Sequence, residues 1–158
     1  RLAKEPEIEE LWEEIGNPTE YDEIVFCGYG EPTLRLSLIL DLAKKIKAHD
    51  GKVRLNTNGH GNLIHKRDIL PDFEGLIDTI SISLNAETEM KYNEICHPGF
   101  ESNTFEEVKR FIRKSKKYVP NVVATVVDIP NKLDTRECER IAKELGVEFR
   151  VRSYNVVG

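Results

Sequence analysis

The run Ile24-Val-Phe-Cys-Gly-Tyr-Gly-Glu-Pro-Thr33 puts a carboxylate directly after a Gly-x-Gly turn. Two glycines let a backbone approach a ligand closely. A carboxylate beside an amino group forms a charge-assisted hydrogen bond, stronger than a neutral one. Gly28, Tyr29, Gly30 and Glu31 therefore suit a small polar ligand that carries a positive group. Pro32 fits the first position of a helix, which gives Glu31 a second use: complementing the dipole at that helix's start. A second polar string, Leu55-Asn-Thr-Asn-Gly59, follows another apolar run. The amides of Asn56 and Asn58 and the Thr57 hydroxyl can hydrogen-bond a carboxylate or a ribose, although Asn58-Gly59 is also an ordinary turn signal. Ser83 and Asn85 are two residues apart and point the same way if their strand extends that far. They fit ribose hydroxyls, with loop solvation as the plainer use. Asp128 and Arg152-Ser-Tyr-Asn155 complete the set of polar residues that follow apolar runs.

Several other chemistries find no support. Cys27, Cys96 and Cys138 lie far apart, whereas cluster-binding thiolates usually come from one loop; they read as buried or incidental thiols. His49, His60, His65 and His97 form no metal-ligand motif, and His60 and His65 read as solvated loop residues. A dinucleotide fingerprint would need a third glycine where Thr33 stands. There is no GxxxxGK[ST] phosphate loop, and no Ser–His–Asp arrangement can be inferred from spacing.

The elements that must hold these residues follow from periodicity. Ile8, Leu11, Trp12 and Ile15 mark one face of a helix that Gly16 can end. Glu23 to Cys27 is a short strand. Leu34, Leu38, Ile39, Leu42, Ala43 and Ile46 outline an amphipathic helix ending before Gly51. Strands are expected at Lys52 to Thr57, Ile77 to Leu84, Val122 to Val127 and Val147 to Val151. A short helix falls near Thr88 to Ile95. Thr104 and Glu107 form a capping-box pattern for a helix to about Tyr118, and Asp134 to Leu145 is a helix with Gly146 past its end. Helices and strands alternate, so the fold class is α/β with parallel βα units. An open doubly wound sheet and an arc of a barrel both fit this pattern. In either, ligands bind at the carboxyl ends of the strands, where the polar residues gather.

The chain has 158 residues with 39% hydrophobic and 32% charged content. That is the composition of an ordinary globular protein, read as one domain over 1–158. A net charge of −5 with both signs scattered argues against a large nucleic-acid surface. No apolar run approaches the ~20 residues needed to span a bilayer. Three scattered cysteines make no disulfide framework, so a reducing cytoplasm is expected.

Gly28-Tyr-Gly-Glu-Pro32 resembles the GGEP-type motif of the radical S-adenosylmethionine (SAM) superfamily. Asn56-Thr-Asn-Gly59 resembles its TNG segment, and Ser81-Ile-Ser-Leu-Asn85 its next strand. The likeness runs from Arg1 to about Tyr154. The pairing of Phe26-Cys-Gly-Tyr-Gly-Glu-Pro-Thr33 with Arg54-Leu-Asn-Thr-Asn-Gly59 looks most like the TatD-associated subgroup, whose name alone suggests a nuclease partner. The resemblance implies a partial (βα)6 barrel. In it, Glu31 and the backbone of Gly28 to Gly30 would hold the SAM amino group, and Asn56, Thr57 and Asn58 would border the methionine end. Ser83 and Asn85 would meet the ribose, and Val127 and Val151 would flank the adenine.

Such enzymes also bind a [4Fe-4S] cluster through a CxxxCxxC loop, and this chain has no such spacing. The first strand and cluster loop of the family would lie before Arg1. The chain is therefore expected to supply a SAM pocket without a cluster, and to be inactive alone. Two other readings remain open: a degenerate barrel that binds SAM, a nucleotide or a protein partner, and a barrel enzyme acting on a phosphorylated metabolite with Asp128 as its base. The substrate is not legible.

Overall fold

The computed structural model describes residues 5–28, 30–100, 103–130 and 132–153. Eleven regular elements follow one another: α1 (Ile8–Ile15), β1 (Ile24–Phe26), α2 (Leu36–Ala48), β2 (Val53–Thr57), α3 (Gly61–His65), β3 (Thr79–Ser83), α4 (Glu89–Cys96), α5 (Thr104–Ser115), β4 (Asn121–Asp128), α6 (Thr135–Leu145) and β5 (Glu148–Ser153). The strands form one sheet in the order β1-β2-β3-β4-β5, and every neighbouring pair is parallel. Strand order follows chain order with no reversal. A doubly wound sheet reverses at a switch point; consecutive order is that of a barrel arc.

Register decides which side chains share a face. Asn56 lies opposite Ser81, Ser83 opposite Thr125, Thr125 opposite Arg150, and Val127 opposite Arg152. Residues one position away take the other face. Leu55 pairs with Ile80, Ile82 with Ala124 and Val126 with Val151. This second face is the apolar one. Val53, Leu55, Ile80, Ile82, Ala124 and Val126 are buried there with Leu42 and Ile46 of α2, Val108 and Ile112 of α5, and Leu145 of α6. The sheet thus buries one face under helices and presents a polar face on the other side. The outer side of β1 faces an apolar groove of about 530 Å³ lined in part by Leu11, Ile15, Leu38 and Leu42.

Three expectations need correction. First, the apolar spacing predicts an α2 stripe from Leu34, but Pro32–Arg35 is a 3-10 turn and Leu34 is 62% exposed. A 3-10 turn repeats every three residues, so it shifts the buried stripe out of phase with the helix that follows. Second, the capping box at Thr104 and Glu107 does not form. Asn103 takes the cap position in the left-handed region at φ 59, Thr104 is buried as the first helical residue, and Glu107 pairs with Arg110 instead. The helix ends at Ser115, short of Tyr118. Third, the segment after Asn58-Gly59 is not a solvated loop. It holds α3 and a 3-10 turn at Leu70–Phe73, both too short for a periodic signal.

Candidate functional site

The site is built around the Glu31 carboxylate. Oε1 accepts from the Thr33 N–H (3.1 Å), the Thr33 hydroxyl (2.6 Å) and the Thr57 hydroxyl (2.7 Å). Oε2 accepts from the Asn58 N–H at 2.8 Å. The two local bonds cap the 3-10 turn opened by Pro32; the two distant ones fasten the end of β1 to the end of β2. An ionised carboxylate offers about four lone-pair positions. Oε1 is fully used, and Oε2 keeps room for one more donor.

Neighbouring contacts fix the same corner. The Thr57 hydroxyl accepts from the Gly59 N–H at 3.1 Å, and Asn58 Oδ1 accepts from the His60 N–H at 2.9 Å. Gly59 sits at φ 80, and a β-carbon there would lie 3.0 Å from Ile82 Cγ2. Only glycine combines that backbone with that contact. His65 Nε2 lies 2.7 Å from the Thr33 carbonyl, and His60 Nε2 lies 2.6 Å from the Tyr92 hydroxyl. His60 is buried. Burial lowers its pKa from 6.5, and the Glu31 charge opposes that shift. Burial also raises the Tyr92 phenol. These two histidines, with Thr33 and Tyr92, were missed as parts of the site's frame. The one available signal was Thr33, two residues after a capping carboxylate.

A cavity of about 410 Å³ opens at the carboxyl ends of the strands, lined by Cys27, Gly28, Gly30, Glu31, Asn56, Thr57, Asn58, Ser83 and Arg152. This size suits a small-molecule ligand. Both motif strings meet here, together with Ser83 from β3. β-carbons built on Gly28 and Gly30 would touch nothing within 4 Å. Asn56 Oδ1 is buried and has no hydrogen-bond partner among the described residues. An unpaired buried acceptor is costly, and a ligand donor would relieve it. A second cavity of about 250 Å³ adjoins the first and shares Asn56, Ser83 and Arg152 with it; Val25, Arg54, Ser81, Thr125 and Arg150 complete its lining.

Other candidates are placed elsewhere. Tyr29 lies outside the described residues. Asn85 does not follow Ser83: β3 ends at Ser83, Asn85 turns into the left-handed region at φ 60, and its amide lies 3.6 Å from Cys96 Sγ. Val127 shares the polar face with Arg152, whereas Val151 takes the helix side opposite Val126. The two valines therefore cannot flank one ligand from the same face. Asp128 is exposed and lines neither cavity.

Residues 1–145 match the family model of the radical SAM superfamily. The chain belongs to that superfamily. A search of curated proteins found no match. Among solved structures, this radical SAM chain resembles one described as TYW1 with a lysine-pyruvate adduct bound, at TM-score 0.67 and 18% identity. The match covers 93% of this chain and 48% of that one, so the chain spans about half the length of the matched structure. At that identity the likeness establishes the fold. Among the described residues, no three His, Cys, Asp or Glu side chains come together to hold a metal ion. Cys27 is exposed, Cys96 half-buried and Cys138 buried. No described helix is long and apolar enough to cross a membrane.

Proposed function

We propose that the larger cavity binds S-adenosylmethionine and that the chain is the SAM-binding core of a radical SAM iron–sulfur enzyme. The observation that carries this reading is the meeting of two motif strings around one cavity with an orphaned acceptor. Gly28 and Gly30 leave the open space that a bulky ligand needs, and Asn56 Oδ1 awaits a donor such as an ammonium group. The residues therefore fit SAM. The Gly28–Gly30 backbone and the spare lone pair of Glu31 Oε2 would take the amino group, while Asn56, Thr57 and Asn58 border the methionine end. Ser83 is the ribose candidate that faces the cavity.

The cluster fits differently: the described thiols do not converge on one place. A [4Fe-4S] cluster held by other residues would supply the electron for radical chemistry on SAM; the chain's own residues would bind and orient SAM at the strand ends. The TatD-associated subgroup is supported by Phe26 to Thr33 and Arg54 to Gly59, and a nuclease partner by the subgroup name alone. A cytoplasmic setting is supported by three free thiols.

Equilibrium dialysis with SAM tests the binding reading. Saturable binding that Asn56→Leu weakens is expected; no binding by the intact chain would end it. A separate anaerobic assay with iron and sulfide addresses activity. We expect no 5′-deoxyadenosine from this chain alone, and its formation would refute that expectation.

A further inference from the structure

We propose that the smaller cavity is an oxyanion subsite, in which Arg150 and Arg152 take a carboxylate or phosphate group of the substrate. That the anion belongs to the substrate rests on the SAM reading of the adjoining cavity; that an anion binds does not.

Three observations carry the proposal. The first is orientation. Arg150 and Arg152 alternate with Phe149 and Val151 along β5, and their register with Thr125 and Val127 puts both guanidiniums' stems on the polar face. Both line the smaller cavity. The second is charge. Among the described residues three arginines and no carboxylate line that cavity, in a chain of net charge −5; Glu23 offsets Arg54, so Arg150 and Arg152 carry the uncompensated charge. Walls of one sign focus the field and attract counter-charged ligands. The third is partnering. Arg54 is already used: Nε lies 2.5 Å from Glu23 Oε1, and a terminal nitrogen donates to Ser81 Oγ at 2.9 Å. Arg150 and Arg152 have no ion pair among the described residues. Glu148, on the same face at the start of β5 opposite Val123, lines neither cavity.

A guanidinium presents five donors in a fork that matches carboxylate and phosphate oxygens. The Ser83 hydroxyl stands on the same face and can add a donor to the same group, while the Thr125 hydroxyl donates to the Ile82 carbonyl at 3.4 Å. Both arginines lie beyond the segment matched by the family model. Arg152 also reaches the larger cavity, so an anion held here would sit beside the SAM pocket.

The test is a titration of the full chain with inorganic phosphate and, separately, acetate at constant ionic strength. The readout is the arginine Nε–H resonances. Saturating shifts are expected for Arg150 and Arg152, while exposed Arg113 drifts in proportion to salt. Arg150→Gln and Arg152→Gln should each weaken anion binding about tenfold, as loss of a charge-assisted contact does. The tighter of the two anions names the source, phosphoryl or carboxylate. SAM should leave phosphate affinity within about twofold, since its own carboxylate belongs to the larger cavity. Shifts that track Arg113, or unchanged binding in Arg150→Gln, would overturn the subsite. Displacement of phosphate by SAM would overturn its assignment to the substrate while leaving the SAM reading intact. Anion binding without SAM binding would do the reverse, leaving the subsite standing and removing its neighbour.

Discussion

Glu31 and Arg152 line the same cavity in opposite states. The carboxylate accepts four hydrogen bonds from its own chain, while the guanidinium has no ion pair among the described residues. The difference runs through the whole strand-end surface. At the β1–β2 end, Thr33, Thr57, Asn58, His60 and His65 satisfy one another and Glu31. At the β4–β5 end, Arg150 and Arg152 face an open space. One end is a rigid frame with a single orphaned acceptor, Asn56 Oδ1, and the other carries two guanidiniums without ion pairs among the described residues. A charged residue in a motif is therefore not by itself a ligand contact; what matters is how many of its lone pairs or N–H groups the fold has already used.

The sharpest way to break this contrast is to remove both anchors and compare stabilities. Glu31→Ala leaves the Thr57 hydroxyl and the Asn58 N–H without their charged acceptor. It should cost about 3 kcal/mol, in the range for hydrogen bonds to charged groups and the donors they strand. Glu31→Gln keeps an acceptor oxygen and should cost about 1 kcal/mol. Arg152→Ala, which strands nothing, should stay within about 0.5 kcal/mol. Urea denaturation of the three variants reads this directly. Equal losses for Glu31→Ala and Arg152→Ala would erase the distinction between frame and open surface.

Gly59→Ala tests the same frame through the backbone. At φ 80 an added β-carbon is strained, and Ile82 Cγ2 stands 3.0 Å from it. A loss of about 2 kcal/mol is expected. Gly30→Ala, whose β-carbon meets nothing within 4 Å, should change stability little while weakening SAM binding. A Gly59→Ala variant as stable as the parent would mean that the β2 corner is looser than its hydrogen bonds imply.

These contrasts also explain what was legible beforehand. The five strands and the longer helices were readable because apolar residues recur with the right period over enough positions, as at Leu42, Ala43 and Ile46. The motif strings were readable because glycine and amide residues at strand ends have few other uses. The double role of Glu31 was half-visible in Pro32. By contrast, α3 is five residues long, too short to show a period, so His60 and His65 read as loop residues in the sequence. Register puts Val151 on the helix side, and the end of β3 at Ser83 turns Asn85 away from it. A one-residue step along a strand reverses the face, and a strand's last residue cannot be read from composition when a left-handed turn ends it.

Buried His60 gives a smaller, pH-dependent effect. Its pKa is lowered in the folded protein by burial, so the unfolded chain takes up the proton more readily. Stability is therefore full above the ordinary value of 6.5 and declines as pH falls from there toward the lowered folded value; below that, both states are protonated and the loss stops. Denaturation midpoints for the parent chain should fall across this window, and His60→Gln should flatten the profile. An unchanged slope in His60→Gln would assign the acid sensitivity to other groups.

The smallest expected effect on stability, and the most local probe of the open region, comes from the thiols. Cys27 is exposed and lines the larger cavity. Cys138 is buried in α6, and burial, reinforced by the nearby Glu87 and Asp134 charges, pushes its thiol up to about 12. Thiolate is the reactive form, so a water-soluble disulfide reagent should modify Cys27 at once and Cys138 only on unfolding. If the larger cavity binds SAM, saturating SAM should slow modification of Cys27 several-fold and leave Cys138 unchanged. Phosphate in the smaller cavity, which Cys27 does not line, should leave both rates alone. Protection of Cys27 by phosphate would merge the two cavities into one site. Protection by neither would put the SAM contact away from the Cys27–Gly28 corner, although that corner holds the open glycines on which the reading depends.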